Sequence, residues 1–306
     1  MSNYTVITDG LLFPEGPIAM PDGTVIVVEI AAGRLTRVHP DGRKETIAEP
    51  GGGPNGAAIG PDGACYVCNN GGMQFHEKDG LLLPGDMPED YSGGRIERID
   101  LETGKVEVLY TEVNGEPLKG PNDIVFDRQG GFWFTDLGKG RGRSQDRGGL
   151  YYARIDGSFI REAVFPIPTA NGVGLSPDEK TVYVADTLPG RLWAMDIIGE
   201  GEVARPPGPR RPGRLVGQPS EFCYFDSLAV DADGNICVAT IYHSGITIFS
   251  PDGASIRHVP TDDLVTTNIC FGGADLRTAY ITLSSAGKLV SMPWERPGLP
   301  LNFLNV

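Results

Sequence analysis

Six stretches of the chain repeat one pattern of polar and apolar positions. Each has a polar residue at its third position, then a short apolar run, a turn rich in Asp and Gly, and a second apolar run. Asp bonds to its own backbone in such turns, Gly supplies a positive φ, and β-branched and aromatic residues favour strands. Every copy therefore predicts a β-hairpin. The copies read FPEGPIAMPDGTVIVVE from 13, GPNGAAIGPDGACYVCN from 53, GPNDIVFDRQGGFWFTD from 120, TANGVGLSPDEKTVYVAD from 169, YFDSLAVDADGNICVAT from 224 and TTNICFGGADLRTAYIT from 266.

The polar residue that opens each copy defines a set that we call the ring residues. An Asp follows seven positions later in five copies, and Gln129 takes that place in the third. This constant spacing indicates one structural unit repeated six times rather than six chance similarities. The ring residues are Glu15, Asn55, Asn122, Asn171, Asp226 and Asn268.

The repeats predict an all-β fold, a six-bladed β-propeller with four-stranded blades. A further strand-like run, such as GRLTRVHP or GRLWAMDI, recurs about once per copy, and intervals of 40 to 67 residues between ring residues leave room for a fourth strand. Units of this size form propeller blades. We expect residues 1–306 to form a single domain, with the N-terminal YTVIT strand closing the ring beside the last blade.

Two long intervals mark insertions, at 71–95 and at 199–219. The first insertion is rich in apolar side chains, so it either roofs the tunnel mouth or packs on a blade edge. The second is rich in Pro and basic residues. Outside 73–91 the sequence gives no sign of an exposed aromatic cluster.

The first strand of every propeller blade lines the central channel, so the ring residues should meet near the axis. They would bring two carboxylates and four amides together. These oxygens are hard ligands that suit Ca²⁺, Mg²⁺ or Mn²⁺, and a buried carboxylate without a partner is costly. The pattern therefore predicts a divalent metal ion in the central channel. The alternative is that the ring residues cap strands and bind channel water.

Charge and composition exclude several classes of function. The formal net charge is −14, from 26 basic and 40 acidic residues, which argues against a nucleic-acid partner. No apolar run is long enough to span a membrane, and the first residues do not resemble a signal peptide. Five cysteines without an export signal predict reduced thiols and a cytoplasmic protein. Cys65 and Cys68 should face opposite sides of one strand.

Four motifs give the chain a family resemblance: FPEGP, GPNDIVFD, TANGVGLSPD and FDSLAVDADGN. The chain resembles the senescence-marker-protein/gluconolactonase/luciferin-regenerating-enzyme family, the regucalcin-like propellers. The resemblance implies one catalytic divalent cation, with Ca²⁺ preferred and Mn²⁺, Mg²⁺ or Zn²⁺ as alternatives. It implies Glu15, Asn171 and Asp226 as direct metal ligands, with Asn122 as a further ligand or a substrate contact.

The activity that the resemblance implies is hydrolysis of a small-molecule lactone. Asp226 would activate or orient the attacking water, and Glu15 and Asn122 would complete the catalytic set. Asn55, Asn268 and Lys119 are further candidates for substrate binding. Sugar-lactone members often carry Arg where this chain has Gly120. We therefore expect a more apolar or aromatic lactone than gluconolactone.

Other functions stay open at this point. The same site could serve another metal-dependent hydrolase or a non-hydrolytic lactone enzyme, because one fold hosts several chemistries. A non-catalytic propeller that binds Ca²⁺ or a partner protein is a third possibility. No G-x-S-x-G motif or Ser-His-Asp set competes with the metal. His243 would either support the site or lie alone on the surface, and the oligomeric state stays open.

Overall fold

Each of the six copies folds into an antiparallel hairpin, and the turn chemistry follows from the sequence. In the first copy, Oδ1 of Asp22 accepts a hydrogen bond of 2.9 Å from the backbone N of Thr24, and Gly23 has φ of +85°. The second copy repeats this turn with Asp62 and Gly63. The computed structural model describes residues 4–206 and 211–306; residues 1–3 and 207–210 of the expected single domain lie outside them.

The hairpins grow into six antiparallel sheets, or blades, within the described residues, so the predicted six-bladed propeller is confirmed. In each blade the strand that begins near the ring residue is the innermost. Blade 1 contains Pro14–Ala19, Val25–Glu29, Arg34–Val38 and Lys44–Ala48. Blade 2 contains Pro54–Ile59, Cys65–Asn69, Arg95–Ile99 and Val106–Tyr110. Blade 3 contains Pro121–Phe126, Gly131–Asp136, Gly148–Arg154 and Ile160–Ile167.

The remaining blades continue the order. Blade 4 contains Ala170–Leu175, Thr181–Asp186 and Arg191–Gly199, with Glu202–Val203 and Arg214–Gly217 both paired to the third strand. Blade 5 contains Tyr224–Val230, Ile236–Ile241, Gly245–Phe249 and Ile256–Pro260. Blade 6 contains Thr266–Gly272, Thr278–Leu283 and Lys288–Pro293, with Thr5–Thr8 as its outer strand. The two described strands of the insertion 199–219 thus supply the outer edge of blade 4.

The N-terminal strand closes the ring, as predicted. Thr5 pairs with Ser291 and Val6 with Val290, so the first and last parts of the chain share one sheet. The Ser284 hydroxyl donates a hydrogen bond to the backbone O of Pro14, which links blade 6 to blade 1.

Smaller elements decorate the blades. Three short hairpins and one turn of 3₁₀ helix occur in the described residues. They are Phe75–Lys78 with Leu81–Pro84, Glu112–Val113 with Glu116–Pro117, Gly140–Arg141 with Ser144–Gln145, and the helical turn Ile30–Ala32.

The core lies between neighbouring blades, where apolar faces of successive sheets pack together. Between blades 2 and 3, the ring of Tyr66 meets Phe126 edge-on, with centroids 5.1 Å apart. Cys65 and Cys68 are free and buried in two different apolar clusters, as the strand period predicts. In the part of the chain that is described, no helix has the length and hydropathy needed to cross a bilayer.

Candidate metal and substrate site

The innermost strands approach one another closely around the channel, and this explains the glycines that follow several ring residues. A Cβ on Gly56 would lie 2.4 Å from the backbone O of Asn122, and one on Gly172 would lie 2.7 Å from that of Asp226. Because only hydrogen fits at these positions, the polar residue before each glycine is held at the channel wall.

A cavity of about 540 Å³, which we call the mouth cavity, lies where the innermost strands begin. Five of the six ring residues line it: Glu15, Asn55, Asn122, Asn171 and Asp226. Two carboxylates and three amides from five different blades therefore share one solvent-accessible space. These side chains lie together, as predicted, because the innermost strands all begin at the same end of the channel.

The insertion 71–95 lies over the mouth cavity, and from here we call it the lid. One hydrogen bond to blade 6 and one aromatic contact with blade 1 hold it there. The backbone N of Leu82 donates to the O of Ser285 at 2.9 Å, and the ring of Phe75 packs on Phe13 with centroids 5.0 Å apart. The lid residues that line the cavity are Met73, Lys78, Asp79, Leu81, Leu83 and Pro84. Of the two expected placements, the roof is the one observed.

A buried lysine anchors both ends of the lid. Nζ of Lys139 donates to Oδ1 of Asn70 at 3.0 Å and to the backbone O of Gly72 at 2.6 Å, and it lies 5.6 Å from the ring centroid of Tyr91. Burial lowers its pKa to about 8, against the opposing effect of Asp136. Lys139 comes from a loop of blade 3, so it ties the lid to a neighbouring blade.

The surroundings of the two ring carboxylates, Glu15 and Asp226, disfavour their charged forms. Glu15 is 2% exposed, and burial raises its pKa although Asn268 and the backbone N of Gly16 donate hydrogen bonds to it. Asp226 lies at the cavity wall, and its pKa is raised well above the usual range by burial and then by the nearby charge of Glu15. Two carboxylates so placed favour a bound cation or a shared proton.

Two amide oxygens at the same site have no hydrogen-bond partner. Oδ1 of Asn122 and Oδ1 of Asn171 are both buried and unpaired, while Nδ2 of Asn171 donates to Thr187 at 3.1 Å. Unpaired buried acceptors are rare and costly. A hard divalent cation would satisfy them, so the residues present fit such an ion. That Glu15, Asn122, Asn171 and Asp226 bind it remains a prediction.

Two of the four candidate metal ligands, Asn122 and Asn171, are neutral amides. Within residues 4–206 and 211–306, no group of three His, Cys, Asp or Glu side chains is placed so that it could hold a metal ion. Among the ring residues at the mouth cavity, the negative charge available to a cation comes from Glu15 and Asp226, with amide oxygens as the other donors.

One buried carboxylate was not anticipated from the sequence. Asp123 accepts hydrogen bonds from the backbone N of Ile124 at 3.0 Å and of Val173 at 3.1 Å, and burial raises its pKa to about 7. It thereby joins blade 3 to blade 4 beneath the ring residues. The sequence places Asp123 directly after Asn122, but it does not reveal the hydrogen bond with Val173, which lies 50 residues away.

A second cavity, of about 320 Å³, lies further along the innermost strands, on the other side of the ring residues. Its walls are mainly apolar, and the C-terminal segment 299–306 lies across it. Asn302 fixes this segment by donating to the backbone O of Phe126 and to Oε1 of Glu179. We call this space the lower cavity.

Two predicted substrate contacts lie away from the mouth cavity. Asn268 lines the lower cavity, and its Nδ2 bonds to Glu15 instead. Lys119 is half-buried, and its backbone groups bond to Tyr91 and Asp136. Gly120 lacks a side chain for a steric reason, because a Cβ there would lie 2.6 Å from the backbone O of Gly138.

Three rings at the cavity rim form an exposed cluster that we call the mouth aromatics: Phe222, Tyr224 and Tyr242. The expectation of no exposed aromatic cluster outside 73–91 is therefore wrong. Phe222 and Tyr224 lie at the start of the innermost strand of blade 5, and Tyr242 follows its second strand, so no single short window of the sequence contains the cluster. His243 packs on His258 with ring centroids 4.0 Å apart, and it is not among the residues that line the mouth cavity.

Comparison with known proteins agrees with the motifs. Residues 13–285 match the family described as the SMP-30/gluconolactonase/LRE-like region. The chain belongs to the SMP-30/gluconolactonase/LRE-like family. A curated relative, the lactonase drp35 of Staphylococcus haemolyticus, is 30% identical over 254 residues, which cover 83% of this chain and 71% of the relative.

Solved structures support the fold of this SMP-30/gluconolactonase/LRE-like protein. A gluconolactonase from Xanthomonas campestris aligns with a TM-score of 0.74 at 23% identity, over 95% of this chain and 89% of the other. A calcium-binding regucalcin from Agrobacterium tumefaciens aligns with a TM-score of 0.73 at 19% identity, over 100% and 98%. At these identities the similarity establishes the architecture alone.

Proposed function

We propose that this protein is a divalent-metal-dependent lactone hydrolase. The observation that carries the proposal is the pair of unpartnered amide oxygens, on Asn122 and Asn171, beside the carboxylates of Glu15 and Asp226. The family membership and the curated lactonase relative supply the reaction class.

Four side chains would hold the cation: Glu15, Asn122, Asn171 and Asp226. Their oxygens are hard donors, and two carboxylates match the charge of one divalent ion, so Ca²⁺ is our first choice. The regucalcin of the same fold is a calcium-binding protein. When bound, a divalent cation polarises the lactone carbonyl and stabilises negative charge on its oxygen.

The chain's own residues would do the remaining work. A carboxylate oxygen of Asp226 would accept the proton of the attacking water, whose oxygen bonds to the carbonyl carbon. As the ring C–O bond breaks, that proton would pass to the leaving alkoxide, giving a hydroxy acid. Asn55 and Asn122 line the cavity and would orient the ring, while the lid would exclude bulk water.

We expect a polyhydroxylated sugar lactone to be a poor substrate. Gly120 leaves no side chain at the position where sugar-lactone members often have Arg, and backbone crowding from Gly138 prevents one. The lid adds Met73, Leu81 and Leu83 to the cavity wall. Sugar hydroxyls that face these apolar side chains would lose hydrogen bonds to water without gaining new ones.

The test is hydrolysis by chelator-treated protein before and after addition of Ca²⁺, Mn²⁺, Mg²⁺ or Zn²⁺. Proton release would be followed with gluconolactone, an aliphatic γ-lactone and an aromatic lactone. We expect activity to vanish with chelator, to return with one cation and to be weakest on gluconolactone. Glu15→Gln should abolish metal binding and activity, whereas Glu77→Gln, on the exposed part of the lid, should retain both. Metal-bound protein without activity on any lactone would refute the proposal.

A further inference from the structure

The mouth aromatics continue the wall of the mouth cavity outward. Tyr224 stands two residues before Asp226, and Tyr242 follows the second strand of blade 5; both line the cavity. Phe222 packs on both, with ring centroids 5.4 Å from Tyr224 and 5.7 Å from Tyr242. An apolar surface therefore runs from the candidate catalytic carboxylate to the rim.

This surface is open to solvent. Phe222 is 72% exposed and Tyr242 is 52% exposed. Leu264, which also lines the cavity, is 51% exposed, and its backbone O accepts a hydrogen bond of 2.8 Å from the N of Tyr242. Single exposed apolar residues need no explanation, but a contiguous group at a cavity rim marks a binding surface.

The backbone at Tyr242 supports a role beyond packing. Tyr242 has φ of +67° and Ser244 has φ of +53°, a region that is unfavourable for residues other than glycine. Two backbone bonds hold the turn, from Tyr242 to Leu264 and from Thr261 to Ser244. The fold thus maintains a strained conformation that presents an aromatic ring at the rim, and such strain is typical of functional positions.

We propose that the mouth aromatics and Leu264 form a subsite for an apolar substituent, alkyl or aryl, on the ring of the substrate lactone. This inference rests on the proposed lactone hydrolysis. The lactone ring would lie beside Asp226, and the substituent would extend past Tyr224 and Tyr242 toward Phe222. Burial of an apolar substituent against these rings is favourable, whereas a hydroxylated substituent would lose its hydrogen bonds to water there.

The test compares γ-butyrolactone with a γ-lactone that carries a hexyl chain, using the metal-loaded protein. Burial of a methylene group contributes up to about fourfold in kcat/KM, so the hexyl lactone should exceed γ-butyrolactone by at least about tenfold. In a Phe222→Ser, Tyr242→Asn double variant this ratio should fall about tenfold. Asn is chosen because it tolerates the positive φ at this position.

The control is Leu188→Ser, since Leu188 is 52% exposed but does not line the mouth cavity. That variant should keep the wild-type ratio. Hydrolysis of both lactones with equal kcat/KM, or an unchanged ratio in the double variant, would overturn the subsite while leaving the lactonase proposal intact.

A protein that hydrolyses neither lactone would refute the proposed function, and calorimetry would then decide the subsite separately. The hexyl lactone, as an intact ligand, should bind the wild type about tenfold more tightly than the double variant. Equal affinity would overturn the subsite on this measurement too.

Discussion

The side-chain amide of Asn268 donates a hydrogen bond of 2.7 Å to Oε2 of Glu15. The same oxygen accepts a bond of 2.8 Å from the backbone N of Gly16. Blade 6 therefore orients the one carboxylate that blade 1 contributes to the mouth cavity. Asn268 shares the repeat position of the other ring residues, but it acts on Glu15 and does not line the mouth cavity.

Replacing Asn268 with Ala should weaken metal binding, because Glu15 would lose a donor that fixes its orientation. Removal of such a supporting partner lowers metal affinity by about 10- to 100-fold in comparable sites. Calcium titration calorimetry would measure the change. Asn235→Ala, which removes an amide bonded to Asp231 far from the site, is the matched control and should leave the affinity unaltered. Wild-type affinity in Asn268→Ala would argue against the orienting role.

Replacing Asn122 with Leu should stabilise the protein in chelator and reduce the stability that it gains from Ca²⁺. In chelator the variant loses an unpaired buried oxygen, so we expect its free energy of unfolding to rise by about 1–3 kcal/mol. In saturating Ca²⁺ the wild type should gain more stability than the variant, because binding to the folded state alone stabilises it. Denaturant unfolding under both conditions measures the difference.

Asn302→Leu provides the contrast for that experiment. Its amide makes two hydrogen bonds, to Phe126 and Glu179, so the substitution should destabilise the protein equally with and without Ca²⁺. If Asn122→Leu behaved in the same way as Asn302→Leu, Oδ1 of Asn122 would have no role in binding a cation.

Lys139 should make the stability of the protein depend on pH in a defined window. Its pKa is about 8 in the folded protein and 10.5 without the fold, so between these values the unfolded chain binds more protons. The free energy of unfolding should therefore rise as pH increases through this window, with the full cost of burying the charge present below it. Lys139→Met should lack this contribution, which is on the order of 1–3 kcal/mol.

Urea denaturation of the wild type and Lys139→Met at pH 7.5 and 9.5 tests this directly. The titration of the raised-pKa tyrosines is common to both proteins and cancels in the comparison. Tyr91 and Arg141 near the amine also remain in both. If the free energies of unfolding of the two proteins changed equally between these pH values, Lys139 would not have a lowered pKa in the folded protein.

Gly120→Ala should destabilise the protein, although it adds only a methyl group. The new Cβ would lie 2.6 Å from the backbone O of Gly138, and overpacking of this kind costs about 1–3 kcal/mol. Gly199→Ala is the control, since a Cβ there meets nothing closer than 3.5 Å. Thermal unfolding should show a lower Tm for Gly120→Ala alone. Equal Tm values would mean that an Arg at this position is not excluded by crowding.

Most of the fold was predictable because it depends on local chemistry that recurs. An Asp seven positions after the ring residue, as at Asp22, recurs in five of the six copies, and six similar hairpins can be arranged in few ways. The placement of Glu15, Asn122 and Asp226 around one cavity followed from that arrangement.

The features that escaped prediction depend on contacts between distant segments. Asn268 lies 253 positions from Glu15, and the lid reaches Ser285 from blade 2. The rings of Phe222 and Tyr242 come from separate parts of the sequence, and the fold of blade 5 brings them together. No periodicity in the sequence encodes such contacts, because each occurs once.

The segment 299–306 lines the lower cavity, on the side of the ring residues away from the mouth. If this segment closes that end of the channel, the lactone of the proposed reaction and its hydroxy acid product would both pass through the mouth. Each would then pass the lid, which Lys139 holds by hydrogen bonds near its two ends. Substrate entry and product release would therefore share one opening and could not occur at the same time.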